Sequence, residues 1–124
     1  MNDQIDPIEN QKNKGGLNIT MLKPGTKLTI ETKNSVYNIV IIKEREITLM
    51  GGMKQDGEIR YPFPSEALFI GSTWGGSLIM PNWIGEGMRL EINVLGETFS
   101  TSAIENVEIE APDGSWYYSM DWNK

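Results

Sequence analysis

The sequence predicts an all-β fold: a small, mostly antiparallel β-barrel of the SH3-like or OB-like kind, preceded by a disordered N-terminal arm. Three observations predict it. Short runs alternating apolar and polar residues recur with turn signals between them at roughly 8–12-residue spacing. β-branched residues crowd the apolar positions of TKLTIET, VYNIVIIKE and AIENVEIE. No amphipathic helix longer than about three turns can be traced.

Residues 1–16 are rich in Asn, Gln, Asp and Lys, carry Ile5 and Ile8 as isolated apolar residues, and read as the arm. Residues 17–110 form the expected barrel domain and 111–124 an aromatic tail. Lys23 to Thr26, KPGT, is a turn in which Pro24 presets φ. The strand after it places Leu28 and Ile30 on one face. A polar connection at Lys33, Asn34 and Ser35 leads into Val36 to Glu44, where both alternations are apolar, so a central strand buried on both faces, or one strongly bent, is expected. EITLMGG, ended by Gly51 and Gly52, is the third strand of a meander.

Met53 to Pro64 places Asp56-Gly57 between two extendable segments and reads as a hairpin arm closed by Pro62 and Pro64. SEALFIGS is the next strand, with one helical turn expected at Ser65-Glu66. Met88, Leu90, Ile92 and Val94 alternate cleanly with Arg89, Glu91 and Asn93. Gly96-Glu97 turns that strand into TFSTS, and Ile104, Val107 and Ile109 supply the last core strand.

The chain's 124 residues suit one core, and they include no His and no Cys. Ser-His-Asp and Cys-His catalysis therefore cannot be built from this chain, and zinc, haem and iron–sulfur centres lose their usual ligands. No catalytic residue, metal ligand or cofactor is assigned. The carboxylates show no EF-hand spacing. A formal charge of −6 opposes a phosphate backbone or an anionic membrane, so neither nucleic acid nor membrane is an expected partner. The absence of Cys fits a reducing compartment, and the absence of a signal-like or membrane-spanning run points to the cytoplasm.

Function is sought first in Gly71 to Met88, GSTWGGSLIMPNWIGEGM, where five glycines, two tryptophans and a proline stand in eighteen residues. Amides of the loop Thr73, Trp74, Gly75, Gly76 and Ser77 suit an anion or a ligand carbonyl, although tight barrel corners account for the same glycines. Trp74, between Thr73 and two glycines, is expected to be exposed as a stacking face. Trp83, among Met80, Pro81 and Ile84, is expected to pack in the core. In the tail, Trp116, Tyr117, Tyr118 and Trp122 carry more aromatic area than a small surface leaves to water. A subunit interface is therefore expected there, with packing of the tail on its own barrel as the alternative.

The segments LKPGTKLTIETKNSVYNI and GSTWGGSLIMPNWIGEGMRLEI resemble a group of small bacterial proteins of unassigned function. These have a Pro-Gly turn, an Asn-Ser-x-Tyr segment, and a Gly-Ser-x-x-Gly-Gly-Ser run leading to Trp-Ile-Gly-x-Gly-Met. The resemblance covers Leu22 to Ile109 and implies a small cytoplasmic β fold without an activity. It adds Asn34, Ser35 and Tyr37 to the candidate site, and a hairpin turn accounts for Asn34 and Ser35 equally well. Gly25 to Met50 is also similar in rhythm to Sm-like RNA-binding proteins, but the Asp-x-x-Met-Asn site is missing, so that likeness bears on fold alone. The leading expectation is a non-catalytic binding or assembly module that holds a protein partner or forms a homo-oligomer. The alternative is a small-molecule or glycan binder using aromatic faces near the glycine-rich loop.

Overall fold

The computed structural model describes residues 15–54, 56–76 and 78–121. The arm's first fourteen residues, Ser77 and Trp122 lie outside the described residues. The elements in order are β1 (Gly16–Asn18), a 3₁₀ turn (Ile19–Met21), β2 (Lys27–Thr32), β3 (Val36–Lys43), β4 (Glu46–Met53), β5 (Ile59–Thr73), β6 (Met80–Pro81), β7 (Trp83–Gly85), β8 (Arg89–Val94), β9 (Glu97–Glu110) and β10 (Tyr117–Asp121). The fold is all-β, and every strand pairing is antiparallel. Among the described residues no helix is long and apolar enough to cross a membrane.

Pairings run from β2 through β3, β4, β5 and β8 to β9, and β9 pairs back onto β2. Two long strands make this connectivity work. β5 pairs with β4 up to Leu68 and with β8 from Ala67 onward, while β9 pairs with β8 up to Ala103 and with β2 from Ile104. Register shifts at Phe69/Gly71 and Arg89/Glu91 accompany the change of neighbour, as β-bulges do where a strand bends. β5 therefore absorbs both the outgoing side of the expected hairpin arm and the strand after it. Ser65 and Glu66 are extended and pair with Leu49 and Thr48, so the helical turn expected there does not form. The Asp56-Gly57 turn does form, with Asp56 Oδ1 accepting the Glu58 N–H.

One alternation of each strand fills the core: Leu28 and Ile30, then Ile39 and Ile41, Ile47 and Leu49, Leu90 and Ile92, and Val107 and Ile109 around Phe69. Each such side chain contributes about 1.5–3 kcal/mol by leaving water. β3 corrects the expectation of a strand buried on both faces. Tyr37, Ile39 and Ile41 are buried, but Val36, Val40 and Ile42 are exposed. Outward neighbours across the sheet are polar, Lys27 and Thr48 flanking Val40 and Glu31 beside Val36, and no second layer covers that face among the described residues.

The first and last strands both add to this frame. Gly16 is already in strand, paired with Gly85, so the sheet reaches into the expected arm. A side chain at Gly16 would run into the Trp83 indole and the Ile84 carbonyl. At the other end β10 pairs along β9, Tyr118 opposite Ile109 and Met120 opposite Val107. Met120 is fully buried, and Trp116 and Tyr118 pack partly buried against the core.

Candidate functional site

The glycine-rich loop leaves the end of β5 and returns at β6. Thr73 builds its base: the side chain is buried, its Oγ1 accepts the Gly75 N–H at 3.1 Å and donates to the Leu78 carbonyl at 2.8 Å. Those bonds hold the two limbs of the loop together. They also occupy the Gly75 amide within the loop, so that amide is not free for an anion.

Above this base the loop is apolar and open to solvent. Trp74 is 73 % exposed and Leu78 86 %, with Ile79 and Met80 exposed beside them. A Cβ on Gly75 or Gly76 would meet nothing within 4 Å. The Trp74 ring leans over Gly87, where a Cβ would lie 3.5 Å from its Cζ3, so the indole rests on bare backbone and keeps its other surface free. Isolated exposed apolar residues are ordinary, whereas a cluster of this kind on one loop makes it a candidate interaction surface.

Trp83, in contrast, is half-buried and covers Gly16 and Gly85. It closes the β1–β7 corner rather than plugging the core. The remaining residues expected at the site separate. Tyr37 points inward, buried, with its ring 6.2 Å from Phe99. Burial raises its phenol pKa, opposed by a hydrogen bond with Ser35. Its side chain belongs to the core. Asn34 sits on the turn between β2 and β3, held through its backbone N–H by Ser102 Oγ at 3.1 Å. Its side chain lines an open cleft of about 490 Å³ together with Lys33, Val36, Met53 and Ile59.

Loop and turn share one rim. Thr73 pairs with Arg89, Arg89 with Ala103, and the Lys33 N–H reaches the Ala103 carbonyl at 2.9 Å. Three strand spacings separate them, roughly 14 Å at the usual inter-strand distance. They are two sites, not one.

Trp116 and Tyr118 are accommodated on the chain's own core, which leaves Tyr117 as the outward aromatic of the described tail. Its phenol pKa is raised by desolvation and by Glu108 and Glu110 beside it. Among the described residues no group of three or more acidic side chains is placed to hold a metal ion. Three features escaped the sequence reading. Leu78, Ile79 and Met80 are exposed together between the tryptophans. Phe63, 75 % exposed, stands between Pro62 and Pro64 where β5 bulges opposite Met50, and Val36 borders the Asn34 cleft.

No family model, curated protein or solved structure matches the chain.

Proposed function

We propose that this chain is a non-catalytic binding module that docks a protein partner on the apolar loop 74–80. The observation that carries the reading is the exposure of Trp74, Leu78, Ile79 and Met80 on a loop whose base is tied by Thr73. A tied base limits the conformational entropy lost on binding, and Trp is among the residue types most enriched at interface hot spots. The ring of pairings through β2, β3, β4, β5, β8 and β9 is read as a small closed barrel of the SH3-like or OB-like kind, a stiff platform for the loop. The lack of His and Cys supports a binding role over catalysis, and the lack of Cys fits the cytoplasm.

A photo-crosslinking residue placed at Leu78, in cells that make the protein, tests the reading against the same residue at Glu97 on the far β8–β9 turn. The expected result is a defined adduct from position 78, lost when Trp74→Ala is added, and none from position 97. An adduct of twice the chain mass identifies the partner as a second copy. Equal labelling from both positions, or none from 78, overturns the reading.

A further inference from the structure

The Asn34 cleft lies three strands away from the apolar loop and has a chemistry of its own. Its floor is formed where β4 bulges at Gly51 and Gly52, with φ of 106° and 79°. A side chain at Gly51 would strike the Val36 carbonyl, and one at Gly52 would come within 2.7 Å of the Tyr37 ring. Glycine at both positions therefore lets the β4 backbone lie close against Val36 and Tyr37 where it lines the cleft. Its wall is fixed by a chain of hydrogen bonds: Ser102 Oγ to Thr32 Oγ1 at 2.8 Å, Ser35 N–H to Thr32 Oγ1 at 3.1 Å, and Met53 N–H to Ser35 Oγ at 3.0 Å. Backbone donors at Thr32, Asn34, Ser35 and Met53 are thus committed inside the chain. Recognition falls to side chains, which suits a small molecule rather than an added peptide strand.

Charge selects the kind of molecule. The protein carries −6, yet among the described residues the one charged side chain lining the cleft is Lys33. Glu31, across from Val36, is drawn toward β9 by the Asn106 Nδ2 donor at 2.9 Å. Asn38 Oδ1 accepts from Thr29, leaving its Nδ2 as a donor, and Asn34 adds an amide. The exposed apolar side chains of Val36, Met53 and Ile59 line the same cleft. A volume of about 490 Å³ falls within the range of small-molecule sites.

We propose that this cleft binds a small amphiphilic anion: a carboxylate head on Lys33 and the Asn34 amide, and an aliphatic chain on Val36, Met53 and Ile59. Octanoate and octylammonium, which share a tail and differ in the sign of the head, test it by amide chemical shifts below their micelle concentrations. Octanoate should shift Val36, Gly52 and Met53, and octylammonium should bind about tenfold more weakly or worse, a difference near 1.4 kcal/mol. Lys33→Glu should lower octanoate affinity by at least about tenfold, while Trp74→Ala leaves it unchanged, which separates this site from the docking loop. Absence of octanoate shifts, equal affinity for the two heads, or unchanged affinity in Lys33→Glu overturns the proposal.

Discussion

At the scale of single residues the tryptophans divide by what they touch. Trp74 rests on one glycine and is otherwise in water, so Trp74→Ala should cost less than about 1 kcal/mol in a denaturant melt. Trp83→Ala should cost about 2 kcal/mol, short of the 3–5 kcal/mol expected for Phe69→Ala in the fully buried core. Equal losses at 74 and 83 would make Trp74 a packing residue. The exposure of Trp74 was legible because small and polar neighbours give an indole nothing to pack on. The burial of Tyr37 was not, because its two apolar alternations left the inward face undecided. Tyr37 also carries a pH signature. Its folded pKa lies above the usual value near 10, so the stability it confers is complete below about pH 10 and is lost as pH rises through the folded value. Tyr37→Phe should flatten the alkaline decline in melting temperature, and identical profiles would show that the phenol does not titrate on unfolding.

Strands carry the next set of tests. β3 is apolar on both alternations, yet one face alone meets the core, and paired substitutions expose the difference. Ile41→Ala should lose roughly 2–5 kcal/mol, whereas Ile42→Thr on the outer face should stay within about 0.5 kcal/mol. Comparable losses would mean that something covers the outer face. The alternation of β2 and β8 revealed their inward faces directly, since polar residues mark the outside. β5 and β9 resisted because each changes partner along its length, and a bulge shifts the phase of the buried positions: Thr101, Ile104, Val107 and Ile109 are inward in β9 at uneven spacing. The β1–β7 corner was also hidden, since Gly16 looks like the end of a polar arm. Gly16→Ala should force the Trp83 ring away, red-shift its emission and destabilise the fold by about 1–3 kcal/mol. An unchanged spectrum would show that the corner does not form.

For the whole molecule, an all-β frame with a continuous circuit of pairings holds two different surfaces on one rim: an apolar loop and a cleft lined by Lys33. The all-β class was readable because alternation and turns agreed along the chain. The separation of the candidate residues was not, because Asn34 and Tyr37 are three apart in sequence yet face a cleft and the core respectively. The tail, whose aromatic content pointed outward to an interface, supplies Met120 to the core and leaves Tyr117 exposed. The docking loop is the central claim, and the lack of native Cys allows it to be tested with single thiols. Leu78→Cys and Glu97→Cys proteins are labelled with a maleimide, purified and in the extract of cells that make the protein. The account predicts fast labelling of both when pure, and in extract a slowing of position 78 alone that is relieved by Trp74→Ala. Equal rates at position 78 in both settings would contradict it.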